Sequence, residues 1–333
     1  MGVDFTVYKG SSSGDIVAVK GHRDLKPTQV SVKISHCGVC GTDEHYRHAD
    51  VGLGHEGVGI ITELGSMVSE VSDLKVGDRV GLSYHQKFCG HCKYCQQGRQ
   101  NLCPDAELFG SSNTDQGCYS TGVAWDVSNI HKLPEGLESE FAGPLMCGGA
   151  TVWDPLYSSG AKPGDRVGII GVGGLGHLAI QFASKMGLEP VVFSSTDSKK
   201  EQALAFGAAE FHATKNNDKL NQIEKLELLI ITANTGVKLS SYMPLLAPGA
   251  KVYPLTVSQE ELGISPLDLI GTAAHIIGSG VAPPDSIRAM LDFAAKHDVK
   301  PQIEKFPMST EGVTEAMQKL RDGKMRYRGV LVV

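Results

Sequence analysis

Two rhythms of apolar and polar positions divide the chain. Up to about residue 148 the apolar residues come in short runs broken by glycine: "DIVAVK" at 15–20, "QVSVKIS" at 29–35, "VGIITEL" at 58–64 and "DRVGLSY" at 78–84. Alternation in "SVKIS" puts every second side chain on one face, the pattern of a half-buried strand. From about residue 150, continuous apolar runs alternate with amphipathic ones. "RVGIIG" predicts a buried strand, "LGHLAIQFASKMG" a helix ended by Gly187, "PVVFSS" a strand and "SKKEQALAFG" a helix. "LELLIIT", "AKVYPL" and "AHIIGS" supply further strands. Strand and helix in alternation predict a parallel, doubly wound sheet, an α/β architecture. The tail, from "SIRAMLDFAAKHDVK" to "YRGVLVV", predicts helices that close on a strand. "VGDRV" at 76–80 and "PGDRV" at 163–167 read as one kind of Gly-Asp turn launching two strands, not as a repeat.

Composition narrows the function classes. A chain of 333 residues has room for two domains, and 41% hydrophobic with 20% charged residues is a globular balance. Net charge is −6 and no long basic run occurs, which speaks against nucleic acid as a partner. No apolar stretch approaches the roughly 18 residues of a membrane span. "MGVDFTVYKG" lacks the basic and apolar regions of a signal peptide. Gly2 and Thr6 fit the loose myristoylation pattern, but no basic patch or second anchor follows. These readings predict a cytoplasmic protein, with no nucleic acid and no membrane as partner.

The eight cysteines change the picture, because four of them share one loop. "CGHCKYCQQGRQNLC" places Cys89, Cys92, Cys95 and Cys103 at gaps of two, two and seven residues. Gaps of two let successive thiolates face one ion, and four thiolates close a tetrahedral zinc shell with no position left for substrate. The rival is an iron–sulfur cluster, which Cys103-Pro104 fits. The last gap, seven rather than three, and the lack of a second cluster run argue against it. His91 reads as a polar loop residue.

"GVGGLG", Gly171 to Gly176, satisfies G-x-G-x-x-G between a predicted strand and a predicted helix, the context in which the pattern means a dinucleotide. Gly171 permits the tight turn, Gly173 the approach of a pyrophosphate, and Gly176 close helix–strand packing. With Val172, Gly174 and Leu175 they offer backbone N–H groups at a helix N-terminus. The end of the next strand reads "FSSTDSKK". Hydroxyls of Ser194, Ser195 and Thr196 with the cations Lys199 and Lys200 suit a 2′-phosphate, which a carboxylate would repel. Asp197 either serves a ribose hydroxyl, as in NAD enzymes, or caps the following helix. The balance favours NADP.

"LGHEGVGIITELGSMV" puts His55 and Glu56 in a glycine-bounded turn, and "HCGVCGTDEH" brings Cys37, Cys40 and Asp43 together. Alone, His55 could be a hydrogen-bonded core histidine and Glu56 a surface carboxylate. Gly54-His55-Glu56, Gly59, Gly65 and Val68, with the four-cysteine loop, "GVGGLG" and the order of the domains, resemble the zinc-dependent medium-chain alcohol dehydrogenases. "PLMCGGATV", "FSSTDSKK" and "MRYRGVLVV" look most like the cinnamyl-alcohol-dehydrogenase branch. The similarity runs from about residue 30 to the C-terminus.

The resemblance implies a mostly β, GroES-like catalytic domain over 1–148 that carries the structural zinc loop 89–103. A Rossmann domain over 149–283 would bind NADP(H), and residues 284–333 would return to the catalytic domain. It implies two zinc ions per chain. The catalytic one would be held by Cys40, His55 and Cys147, with Glu56 binding transiently and Asp43 orienting the histidine. Cys37 and His36 receive no role. Zinc would polarise the substrate oxygen while hydride passes to or from the nicotinamide. Thr42, the cofactor ribose and His45 would relay the proton. Thr42 as a helix cap and His45 as a surface imidazole are the plainer alternatives. Thr151, Gly278 and Ser279 would lie near the nicotinamide. Arg328 would reach the pyrophosphate or else be a solvated terminal arginine. One departure stands out: only "YRHADVGLG" separates His45 from His55, where the family usually has a longer segment walling the substrate pocket. The mouth is then wider, or other loops fill it. The implied activity is NADP(H)-linked alcohol dehydrogenase or aldehyde reductase, in a homodimer joined through the Rossmann sheets. The alternatives are a branch member reducing a C=N or conjugated C=C bond, and a non-enzymatic cofactor-binding protein.

Overall fold

The computed structural model describes residues 2–215, 220–233 and 237–333. It forms two compact units, Met1–Ala150 with Val281–Val333, and Thr151–Gly280. The first is built on a seven-stranded sheet. Its path runs Ile303–Pro307, Arg328–Val332, Gln29–Val39, Gly57–Leu64, Arg79–Leu82 and Ile130–Lys132, and Gly122–Asp126 also pairs with Gln29–Val39. The strand Gln29–Val39 therefore has three neighbours and is covered more fully than its alternation predicts. Lys33 faces solvent, but Ser31 is buried and receives the Thr62 hydroxyl at 3.0 Å. Val30, Val32 and Ile34 pack with Ile61, Val80, Leu82, Trp125 and Leu331 into the core. Helix Thr310–Arg321 adds Val313, Ala316 and Met317, the i, i+3, i+4 stripe of an amphipathic helix. Each such aliphatic or aromatic side chain taken out of water contributes about 1.5–3 kcal/mol.

Register is what positions the chemistry. Cys37 pairs with Gly57 and Val39 with Gly329, both antiparallel. The C-terminal end of one strand thus lies beside the starts of two others. The residues at those ends, Cys40, Glu56 and Arg328, are neighbours although 272 positions separate the last two.

The second unit holds six parallel strands in the order Glu210–Ala213, Glu189–Ser194, Arg166–Ile170, Leu226–Ile231, Leu246–Pro254 and His275–Ile276. Strand order reverses at Arg166–Ile170, so the "GVGGLG" turn opens at the switch point of a doubly wound sheet, where such folds take ligands. Helix Gly176–Lys185 buries Leu178, Ile180 and Phe182, and Gly187 at φ 81° accepts the left-handed position that ends it.

Two expectations need correction. "AHIIGS" forms only the two-residue strand His275–Ile276, and both residues are exposed at the sheet edge. Asp197 is not a helix cap. It begins a short 3₁₀ turn, Asp197–Lys199, whose cap position is Thr196, and the helix Lys200–Ala205 comes next with no side-chain cap. Among the described residues no helix is long and apolar enough to cross a membrane.

Candidate active site

Cys40 stands at the cap of the short helix Gly41–His45, directly after Gln29–Val39. His55 and Glu56 sit in the turn before Gly57–Leu64. Cys147 comes from a π-helical turn, Leu145–Gly149, inserted between two α-helices; single turns of this kind are frequent at functional sites. One ligand atom from each of Cys40, His55, Glu56 and Cys147 lies within 4.8 Å of the other three. His55 and Glu56 are fully buried. Cys37 does not join them: its side chain is buried in the apolar core of the sheet.

Asp43 fixes the histidine. Its Oδ1 accepts from His55 Nδ1 and from Gly54 N, each at 3.0 Å, and its Oδ2 accepts from Cys40 N at 3.1 Å and Tyr119 Oη at 2.9 Å. With Nδ1 donating to Asp43, His55 turns its Nε2 lone pair toward the sulfurs. That nitrogen is buried with no hydrogen-bond partner in the described structure. A buried acceptor left open among two thiols and a carboxylate is what a metal ion satisfies, so the residues present fit a catalytic zinc. The two sulfurs point the same way. A hydrogen bond from Cys147 pulls the Cys40 thiol well below its usual pKa, and the hydrogen bond to Cys40, with burial, pushes Cys147 well above its own. The first thiolate forms easily and the second waits for a cation.

Behind this set, Arg328 Nη2 grips both oxygens of Glu56, at 2.6 Å to Oε2. Burial raises the Glu56 carboxyl to about 7, and the Arg328 charge opposes the rise. Gly38 makes room for the pair, since a Cβ there would meet Glu56 Oε2 at 1.9 Å. Arg328 is therefore not a solvated terminal arginine. The expectation that it reaches a pyrophosphate meets a guanidinium already buried on a carboxylate.

Thr42 Oγ1 lies 3.7 Å from Cys40 Sγ, and His45 is exposed at the far end of the same helix. The cap there is Cys40, not Thr42. Aromatic rings border His55: Phe109 at 4.9 Å and Tyr84 at 5.9 Å between centroids, with Tyr46 edge-on to Phe109 at 5.2 Å. Burial pushes the Tyr84 phenol up to about 12, so it stays protonated near neutral pH. The short segment 46–54 is pinned by the N-terminal stretch through Gly10 N to Val51 O, Ser11 N to Arg47 O and Arg47 Nη1 to Gly14 O, and by Lys9–Asp50 at 2.6 Å.

Cys89, Cys92, Cys95 and Cys103 form a second cluster, also within 4.8 Å. Cys89 Sγ is 3.5 Å from Cys103 Sγ and 3.9 Å from Cys95 Sγ. Four sulfurs about 2.3 Å from one zinc stand about 3.8 Å apart along a tetrahedron's edges, so the spacing fits a single ion rather than a multi-iron cluster. Backbone N–H groups of His91 and Cys92 lower the Cys89 thiol to about 6, while burial raises Cys95 to about 12. His91 is exposed and contacts only the Cys89 carbonyl among the bonds described.

In the second unit the glycine turn carries three separate requirements. Gly171 has φ 98°, a Cβ on Gly176 would meet Gly171 O at 2.0 Å, and a Cβ on Gly173 would meet nothing within 4 Å. Conformation and packing demand the first two glycines, while the open space at Gly173 is the cradle a pyrophosphate would fill. Ser194 ends its strand half-buried, and Ser195, Thr196 and Lys200 are exposed just past it. Lys199, not Lys200, turns back on the glycine turn, its Nζ donating to Val172 O at 2.6 Å. Thr151 is half-buried in helix Ala150–Ser158, Gly278 is exposed, and the Ser279 hydroxyl is buried without a partner in the described structure. Sequence reasoning missed Tyr119, the hold of Arg328 on Glu56, and Thr232, whose hydroxyl ties Ile170 O and Gly171 O at 2.8 and 3.1 Å. Tyr119 and Thr232 lie outside the motifs, and Arg328, inside "MRYRGVLVV", was given a different role there.

The family model for the alcohol dehydrogenase GroES-like domain matches residues 26–135, and that for the zinc-binding dehydrogenase matches 174–296. Aldehyde reductase AdhA of Synechocystis sp. is 35% identical over 315 residues, 92% of each chain. Among solved structures, a cinnamyl alcohol dehydrogenase from Sorghum bicolor superimposes with TM-score 0.89 at 29% identity, covering 100% of this chain and 98% of that one. The CAD of Helicobacter pylori complexed with NADP(H) gives 0.87 at 26%, covering 100% and 99%.

The convergence at Cys40 predicts a difference between two neighbouring cysteines. Cys40→Ser is expected to lose one bound zinc per chain, measured by metal analysis of the purified protein, and Cys37→Ser to retain it. Loss of that zinc from Cys37→Ser alone would overturn the ligand set.

Proposed function

The chain belongs to the zinc-dependent medium-chain alcohol dehydrogenases, and on that premise we propose that it interconverts aldehydes and alcohols with NADP(H). The observation that carries this reading is the convergence of Cys40, His55, Glu56 and Cys147 with Asp43 behind the histidine. Zinc held there supplies a Lewis acid for the substrate oxygen, and NADP(H) gives or takes the hydride. Cys40, His55 and Cys147 would hold the ion, three protein ligands being the number that leaves room for a substrate. Glu56, paired with Arg328, lies beside them as a further carboxylate donor. Cys89, Cys92, Cys95 and Cys103 hold the structural zinc.

The Thr42 hydroxyl, able to donate and accept, exchanges the substrate proton, and His45 returns it to solvent. Backbone N–H groups of Gly171 to Gly176 receive the pyrophosphate. Ser194, Ser195 and Thr196 bind the 2′-phosphate with Lys199, and Lys200 adds charge nearby. Thr151, Gly278 and Ser279 line the nicotinamide. We assign 1–148 and 284–333 to the catalytic domain and 149–283 to the cofactor domain. His275–Ile276 is an exposed sheet edge in the unit that also carries Val257, Leu267 and Ile270, each about three-quarters exposed. Such an edge pairs with a second copy, which supports a homodimer. Eight free cysteines suit the reducing cytoplasm.

Metal analysis is expected to give two zinc ions per chain, and a panel of aldehydes to drive NADPH oxidation faster than NADH oxidation. A chain that ignores every aldehyde but consumes NADPH with C=N or conjugated C=C compounds would overturn the reading. His45→Gln is expected to slow alcohol oxidation mainly below neutral pH; an unchanged pH–rate profile would remove His45 from the proton path. The double variant Leu267→Asp/Ile270→Asp should elute as a monomer in light scattering where the native chain is a dimer. A native monomer would exclude the edge as an interface.

A further inference from the structure

Asp43 is wholly buried, and each of its carboxylate oxygens accepts two donors. Three donors, Cys40 N, Gly54 N and His55 Nδ1, come from the two stretches that carry the metal-ligand motifs. The fourth, Tyr119 Oη, comes from outside both, 76 residues from Asp43. The Tyr119 ring lies directly against the turn that presents His55: a Cβ on Gly54 would meet Tyr119 N at 2.3 Å and Cδ1 at 2.4 Å. We propose that Tyr119 is a positioning residue whose hydroxyl, by holding Asp43 Oδ2, sets how firmly His55 retains the catalytic zinc.

The hydroxyl is separable from the fold. Main-chain bonds fix Tyr119 in place, its N donating to Leu53 O at 2.7 Å and its O accepting from Tyr8 N at 2.8 Å. Its ring belongs to the apolar core, which a phenylalanine fills equally well. The hydroxyl's one described bond goes to Asp43. Without it, Oδ2 keeps only Cys40 N, the carboxylate is freer to rotate, and the His55 Nδ1 proton is less firmly directed. His55 Nε2 then spends less time aimed at the ion. A direct partner of the liganding histidine, as Asp43 is, is worth about 10–100-fold in metal affinity, and Tyr119 acts through Asp43, one step further out.

The inference rests on reading Cys40, His55 and Cys147 as a zinc site, and the test separates the two claims. Zinc release from the purified protein to the chromophoric chelator 4-(2-pyridylazo)resorcinol is followed in the native chain, Tyr119→Phe and Tyr8→Phe. Tyr8→Phe is the control, since it deletes another buried hydroxyl, the one donating to Met308 O at 2.7 Å. Metal analysis of Cys40→Ser identifies the phase belonging to the catalytic ion. Tyr119→Phe is expected to release that ion faster, by up to about 10-fold, with the four-cysteine ion leaving at the native rate, and Tyr8→Phe to change neither. A native chain with one zinc would remove the zinc reading itself. Two zincs with native release rates in Tyr119→Phe would remove only the role of Tyr119. Faster loss of both ions together, or a Tyr119→Phe chain that fails to fold, would make the hydroxyl a general structural prop and overturn the proposal.

Discussion

The first unit is organised by a charge imbalance. Cys40, Glu56, Cys147 and Asp43 can all become anions; Glu56 and Asp43 are buried, the two cysteines are half-buried, and Arg328 is the permanent cation beside them among the described residues. Asp43 is neutralised by four donors. Glu56 is paired with Arg328, which opposes the rise that burial imposes on its carboxyl. His55 and Arg328 favour charge on Cys40, and the two sulfurs share a hydrogen bond. Their opposed shifts, Cys40 downward and Cys147 upward, describe a pair that cannot both ionise until a cation arrives. A divalent ion held by both thiolates and His55 Nε2 would offset that imbalance, and its binding would then be coupled to the stability of this end of the sheet.

How much of this was legible in the sequence depends on where each partner sits. The four-cysteine loop is local, so spacing alone exposes it, whereas His55 and Glu56, though local, take their meaning from the family resemblance. Cys147 carries no spacing signal and came only with the family resemblance. Arg328 and Tyr119 lie 272 and 76 residues from the groups they hold. Only the antiparallel register of Arg328–Val332 and Gly57–Leu64 on Gln29–Val39 brings the first of them in. An arginine near a chain end reads as solvated until that register is known. Tyr119 reads as one more aromatic of a strand-rich stretch.

In the second unit the alternation of strands and helices predicted the sheet, because the central strands Arg166–Ile170, Glu189–Ser194 and Leu226–Ile231 are covered on both faces and show as apolar runs. The half-buried edge strand Glu210–Ala213 shows no such run and is missed. The same rule overstated "AHIIGS". Its isoleucines look like core, yet Ile276 is exposed at a sheet edge, and an apolar edge is indistinguishable in sequence from a buried strand. Asp197 shows the complementary error. A capping residue is recognised by the helix that begins directly after it, and here a 3₁₀ turn intervenes first.

The shortened 46–54 segment and the candidate metal ligands are held by different parts of the chain. Cys147 takes its place from the π-helical turn. Cys40 and Glu56 take theirs from strand register, which tolerates little change, since a shift of one residue turns every side chain of a strand to its other face. The wall has no such constraint. The segment is held from Lys9 to Gly14, outside the matched GroES-like region, and reaches His55 through Tyr46 and Phe109. Loops of this kind change length at little thermodynamic cost, roughly 0.6 kcal/mol per doubling. Substrate preference can therefore drift by exchanging residues around Tyr46, Tyr84 and Phe109 while Asp43, His55 and the sulfurs stay fixed. That separation is why the chemistry is readable from the motifs and the substrate is not.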